Sequence, residues 1–258
     1  MNALPLAGVG VLVTRPRARA ATLAQRIEAA GGRAHVYPAI EILPPSDPAR
    51  FEAALATLKD FHWAIFVSPS AVEHAFAALP AAAWPSTLHF AAVGAGSARA
   101  LARHGIADIL HPAAGADSEA LLALPPLADM TGRRVVIFRG EGGRDLLGAT
   151  LAARGAEVRY AEGYRRAPPG GDPAPLLALW RAGGIGAVTV TSIEALDNLA
   201  RWLGEEGRAR LLATPLFALH ERIAEHARAL GVTNVVTAAP DDAALADALT
   251  HWFATHPD

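Results

Sequence analysis

At 258 residues, 52% hydrophobic and 19% charged, the chain has enough apolar surface to fold throughout, at a length where one core usually gives way to two. A formal charge of −2 excludes the net basic footprint of a nucleic-acid binder, so any anion site must be local. The absence of cysteine excludes disulfides, thiolate metal sites and a cysteine nucleophile.

In chain order, residues 1–13 are apolar but lack a basic lead-in and a small-residue cleavage site, so they read as part of the fold and not as a secretion signal. No run approaches the roughly 18 apolar residues that a spanning helix needs, so a soluble, cytoplasmic protein with no membrane partner is expected. Short β-branched runs then alternate with alanine-rich helical stretches: GVLVT (10–14), WAIFVS (63–68), LHFAAVG (88–94), RVVIFRG (134–140), AVTVTS (187–192) and TPLFAL (214–219). That alternation indicates parallel sheets covered by helices, an α/β fold. After the first strand, Leu23 and Ile27 keep helix spacing and Gly31-Gly32 supplies a left-handed cap.

The second half of the sequence repeats the first at an offset of 124–126 residues. VLVTRP (11–16) matches VVIFRG (135–140), AIFVSPSAV (64–72) matches VTVTSIEAL (188–196), and residues 93–110 match 219–236. YPAIEILP (37–44) and VRYAEGYRR (158–166) follow equivalent helices and run as extended strands into proline-bounded exits, which makes them a pair of crossing linkers. Residues 1–36 and 170–258 would then form one discontinuous domain and 46–157 an inserted one, with 37–45 and 158–169 as linker strands and a cleft between the domains. Two tandem domains on a single linker are the alternative.

In open α/β sheets, ligands bind beyond the carboxyl ends of strands, where helix N-termini offer free N–H groups. The candidates are Thr14-Arg15-Pro16, Ser68-Pro69-Ser70, Gly94 to Ser97, the loop RGEGGR from Arg139 to Arg144, Thr191-Ser192, and His220-Glu221-Arg222. In RGEGGR, Gly140, Gly142 and Gly143 permit close backbone approach to an anion, with Arg139 and Arg144 as rim charges; turn chemistry alone also accounts for the glycines. Of the 23 basic residues only Lys59 is lysine, which suits planar recognition of carboxylates but equally reflects a biased composition. Ser68, Ser97 and Ser192 are placed to cap helices, to bind ligand, or both. VGAGSA (93–98) lacks the third glycine of a dinucleotide fingerprint, HERIAEH (220–226) is not a zinc HExxH, and no serine lies in a G-x-S-x-G elbow. Tyr164, in the second linker strand, is either a cleft residue or a packing tyrosine.

The set VLVTRP, IFVSPSAV (65–72), AVG (92–94), Ser118-Glu119, RGEGGR, EGYRR (162–166) and VTS (190–192), in this order and over nearly the whole chain, resembles the uroporphyrinogen-III synthase family. HERIAEHARALG (220–231) is similar to the last helix of its bacterial members. The resemblance implies two flavodoxin-like, doubly wound parallel-sheet domains joined by a two-stranded antiparallel linker. It also implies a cofactor-independent, metal-free lyase that cyclises the linear tetrapyrrole hydroxymethylbilane to uroporphyrinogen III, losing water and inverting ring D through a spiro intermediate. Tyr164 matches the family's cleft tyrosine, which would donate a hydrogen bond to the departing hydroxyl. Arg15, Ser68, Ser70, Gly94, Ser97, Thr191, Ser192 and the 139–144 loop become carboxylate contacts by the same matching. Some members carry a threonine where this chain has Ile223, so any role for that hydroxyl would pass to His220 or Arg222. The implied setting is a monomer in porphyrin and heme biosynthesis, receiving its substrate from hydroxymethylbilane synthase. A non-catalytic two-lobed binder of a small polycarboxylate would share these anion loops; a nucleotide-dependent transferase is disfavoured by the missing phosphate-loop lysine.

Overall fold

The computed structural model describes residues 4–115 and 117–256; residues 1–3 of the N-terminal segment lie outside them. Its elements are β1 (Gly10–Val13), α1 (Arg17–Ala29), β2 (Arg33–Val36), β3 (Glu41–Leu43), α2 (Pro48–Ala56), β4 (Trp63–Phe66), α3 (Pro69–Ala78), β5 (His89–Ala92), α4 (Ala95–Arg103), β6 (Ile109–Leu110), α5 (Ser118–Leu122), β7 (Arg134–Gly140), α6 (Leu146–Ala153) and β8 (Glu157–Ala167). There follow α7 (Ala174–Arg181), β9 (Ala187–Val190), α8 (Ile193–Trp202), α9 (Gly204–Ala213), β10 (Leu216–Ala218), α10 (Glu221–Leu230), β11 (Val235–Thr237) and α11 (Asp242–Thr255). Helix α1 buries Ala20, Leu23 and Ile27 on one face and ends where Gly31, at φ +89°, turns the backbone left-handed.

The chain divides into two compact units, Met1–Glu41 with Ala167–Asp258, and Ile42–Arg166. The first unit holds a 5-stranded sheet in the order β2-β1-β9-β10-β11, and the second a 6-stranded sheet in the order β3-β8-β7-β4-β5-β6. In the first, β1 pairs in parallel with β2 and β9, and β10 with β9 and β11. In the second, β4 pairs in parallel with β5 and β7, β5 with β6, and β7 with β8.

The offset of 124–126 that relates the sequence halves maps β7 onto β1, β8 onto β2, β4 onto β9, β5 onto β10 and β6 onto β11. Leaving aside β3, the two sheets therefore have the same spatial order, although the matching strands enter the chain in a different sequence. Each sheet separates two apolar layers by strand alternation. In the second unit Ala64, Phe66, Val136 and Phe138 face one core while Ile65, Val135 and Ile137 face the other. In the first, Leu12, Val188 and Val190 face one layer and Val11, Val13 and Phe217 the opposite one.

Both segments read as linker strands contain strand, and their strands β3 and β8 are hydrogen-bonded neighbours at the edge of the second sheet. Only Glu41–Leu43 of the first is strand, because Tyr37 and Ala39 bond instead to the carbonyls of Val13 and Thr14 and prolong the edge beside β1. The second is the long β8, which pairs with β7 from Glu157 to Tyr164. The extended segment thus lies between β7 and β3 in the sheet.

Candidate active site

In each sheet the chain connections run in opposite directions from one neighbouring strand pair: β1 and β9 in the first unit, β7 and β4 in the second. The carboxyl ends of such a pair leave a crevice that helix N-termini border. In the first unit Thr14 and Thr189 close its floor, since the Thr14 hydroxyl donates to the Thr189 carbonyl at 2.7 Å and the Thr189 hydroxyl to the Leu12 carbonyl at 3.1 Å. Above it, Ser192 caps α8 by accepting from Ala195 N–H at 3.1 Å, with Thr191 half-buried beside it. Gly94 and His220 stand at matching N-cap positions of α4 and α10, and Arg222 is exposed in the first turn of α10.

In the second unit Ser68 caps α3, its Oγ accepting from Ala71 N–H at 3.1 Å. The Tyr164 hydroxyl lies 2.9 Å from the same Oγ. Tyr164 is 1% exposed, packed in the core and stacked at 5.2 Å on the His74 ring. Burial lowers the pKa of His74 from its ordinary 6.5. Ser70 lies half-buried in the first turn of α3.

The RGEGGR loop joins β7 to α6. Gly142 and Gly143 adopt φ of +71° and +106°, a region that costs other residues about 1–2 kcal/mol, and both are exposed. Arg144, 71% exposed, reaches Glu119 at 3.3 Å. A surface pair of this kind is worth about 0–1 kcal/mol, so an arriving carboxylate can compete for the guanidinium. Arg139 is held differently: it donates to Glu162 at 3.0 Å and Asp145 at 3.2 Å, and lies 3.8 Å over the Tyr160 ring.

The uroporphyrinogen-III synthase HemD family profile matches residues 21–247. The chain is 36% identical to the uroporphyrinogen-III synthase of Salmonella typhimurium over 245 residues, covering 92% of this chain and 98% of that protein, and equally to the Escherichia coli protein. The chain belongs to the uroporphyrinogen-III synthase family. A solved Thermus thermophilus uroporphyrinogen III synthase shares the fold, with a TM-score of 0.61 at 18% identity over 96% of this chain and all of that one. The Helicobacter pylori structure gives a TM-score of 0.56 at 15% identity over 93% of this chain and 97% of that one.

Several site expectations change within this uroporphyrinogen-III synthase fold. Gly140 has a packing role, because a Cβ there would lie 2.7 Å from the Tyr164 ring, so its lack of a side chain makes room for the phenol. Arg139 is not a free rim charge, and its repeat counterpart Arg15 is likewise ion-paired, with Asp242 at the start of α11. Paired carboxylates compensate both fields, which leaves the outward charge of the loop to Arg144. Ser97 is 4% exposed and points inward, as does Ile223, its counterpart at the 126 offset, at 5%. Ile223 packs in the core, where a hydroxyl would lack water. Tyr164, expected either beside a cleft or in packing, is packed in the core with its hydroxyl 2.9 Å from Ser68 Oγ.

The structure adds His74, Tyr160, Asp145 and Glu162, none of which stood out at a strand end. It also adds the helix caps Asp117 and Asp241, which accept from Ala120 and Ala244 N–H at 2.8 and 2.7 Å. Those two aspartates stand at the same 124 offset, each just before an apolar helix, so a cap signal was present in the sequence. Among the described residues no group of three or more His, Cys, Asp or Glu could hold a metal, and no helix is long and apolar enough to cross a membrane.

Proposed function

We propose that this chain cyclises hydroxymethylbilane to uroporphyrinogen III, with loss of water and inversion of ring D, and that it does so without cofactor or metal. The observation that carries this reading is the family match, which runs through residues of both units. The strand order β2-β1-β9-β10-β11 is the flavodoxin-like 2-1-3-4-5, and the second unit repeats it in permuted form, which supports two doubly wound domains of common origin.

The substrate carries acetate and propionate carboxylates on its pyrrole rings. Donors suited to them are the N-terminal turns of α3, α4, α8 and α10 with Ser68, Ser70, Gly94, Ser192 and Thr191, the backbone of Gly142 and Gly143, and the cations Arg144 and Arg222 with His220. Charge-assisted bonds of this kind contribute about 1.5–3 kcal/mol each. Many such donors hold the chain ends close together, and that orientation favours closure at the substituted carbon of ring D over the unassisted closure that gives isomer I. The expected setting is the cytoplasm, with a monomer taking the bilane from hydroxymethylbilane synthase.

A turnover assay separates a catalyst from a binder. Hydroxymethylbilane generated in situ is incubated with protein at a small fraction of its concentration, then oxidised, and the isomers are separated. A synthase converts many equivalents to isomer III per protein molecule. A polycarboxylate binder converts none, and its product is isomer I at the unassisted rate.

A further inference from the structure

Resting on that reading, we propose that Ser68, not Tyr164, donates the hydrogen bond to the departing hydroxyl of the substrate, and that Tyr164 is a positioning residue acting through it. The hydrogen-bond pattern decides the direction. Tyr164 is 1% exposed, and the Ser68 Oγ at 2.9 Å is its hydroxyl's hydrogen-bond partner among the described residues. A buried O–H needs an acceptor, so the phenol proton points at Ser68. The Ser68 Oγ also accepts from Ala71 N–H at 3.1 Å. A serine hydroxyl has two acceptor positions and one proton. Both acceptor positions are therefore filled from inside the unit, and the single proton is directed outward from the half-buried Ser68, beyond the carboxyl end of β4.

Three features hold the tyrosine in this role. Gly140 leaves the space its ring occupies, since a Cβ would stand 2.7 Å from it; the His74 ring stacks on it at 5.2 Å; and its main chain is fixed because Glu141 N–H donates to the Tyr164 carbonyl at 2.7 Å. The duplication supplies an internal control. Ser192, 124 residues after Ser68, caps its helix in the same way, with Oγ accepting from Ala195 N–H. The residue 124 positions before Tyr164 is Ile40, which has no hydroxyl. One cap is thus backed by a phenol and the other is not, and helix capping alone does not require the difference.

In the step itself the carbon–oxygen bond of the substrate's terminal hydroxymethyl group breaks, and both electrons leave with oxygen. The Ser68 O–H stabilises the charge gathering on that oxygen, while the pyrrole nitrogen, keeping its proton, donates its lone pair towards the carbon to give the azafulvenium cation. The departing hydroxide takes a proton from solvent to become water, and closure of the macrocycle later returns one proton to solvent, so the reaction balances as bilane to uroporphyrinogen plus water.

The test is a double-mutant cycle on the full chain with Ser68→Gly and Tyr164→Phe, following kcat and KM for isomer III. Glycine is a tolerated N-cap, so Ser68→Gly removes the hydroxyl with little effect on the helix. Loss of one preorganised donor to a developing oxyanion lowers kcat by about 10²-fold. The expected pattern is that loss in kcat with KM little changed for Ser68→Gly, a smaller loss for Tyr164→Phe, and no further loss from Tyr164→Phe once Ser68 is glycine. Ser68→Thr should restore most of the rate that Ser68→Gly loses. Independent, multiplicative losses would mean that Tyr164 meets the substrate itself and would overturn the proposal, as would an unchanged kcat in Ser68→Gly. Wild-type protein yielding only isomer I is a different failure, that of the functional reading beneath it.

Discussion

Gly140 and Tyr164 form a pair in which the small residue exists for the large one. A methyl group at Gly140 would overlap the phenol ring, and overpacking a fixed core typically costs about 1–3 kcal/mol. Gly140→Ala is therefore expected to lower the free energy of unfolding by that amount in urea titration, whereas an exposed loop glycine of no special geometry would tolerate the change. His74, stacked on the Tyr164 ring, gives a pH signature. Its pKa is lowered by burial below 6.5, so the unfolded chain binds more protons than the folded one just below that value. The associated stability is complete above about pH 6.5 and is lost as pH falls through the lowered folded pKa. Subtracting the unfolding free energies of His74→Gln from those of the wild type across pH 7.5 to 5 should show this decline; a flat difference would mean that the imidazole is not burdened by burial. The roles of these residues were only partly legible in the sequence. EGYRR and RGEGGR mark where the chemistry gathers, but of the carboxylates that neutralise Arg139, Glu162 is brought to it by the parallel pairing of β7 with β8 and Asp145 by the turn of the loop into α6. That a glycine in a glycine-rich loop makes room for a ring elsewhere depends on three-dimensional packing that no local spacing encodes.

At the scale of elements, the repeated caps can be compared directly. Ser192 satisfies one helix N–H, so Ser192→Ala should destabilise by about 1 kcal/mol. Ser68→Ala should cost about 1–3 kcal/mol more, because it also leaves the buried Tyr164 hydroxyl without its acceptor. Equal losses in the two variants, measured by urea unfolding, would show that the phenol gains nothing from Ser68. The strands were legible where they are central and apolar: RVVIFRG is β7 residue for residue, and WAIFVS contains β4. The edge strands β2 and β11 were not. RAHV and VVT are short, and only partly buried, so they lack both the alternation and the apolar run that mark a strand. The linker segments were legible as extended chain, and β3 and β8 lie side by side; that β8 also pairs with β7 along most of its length was not.

For the whole molecule, the duplication read at an offset of 124–126 residues reappears as one sheet order written twice, with β7 and β8 in the places of β1 and β2. Each unit carries apolar layers of its own on both faces of its sheet. Residues 42–166 are continuous in sequence and hold two of those layers, so as a fragment they should give α/β circular dichroism and a cooperative urea transition; a featureless spectrum with no transition would mean that this unit depends on the rest of the chain. That this chain turns the bilane into isomer III is the core of the functional account, and the identity of the ring-closed isomer tests it most directly. With hydroxymethylbilane generated at a fixed rate, the fraction of isomer III is measured against the concentration of this protein. The account predicts that the fraction rises from the unassisted baseline towards complete conversion as protein is added. Isomer I at every protein concentration would contradict it.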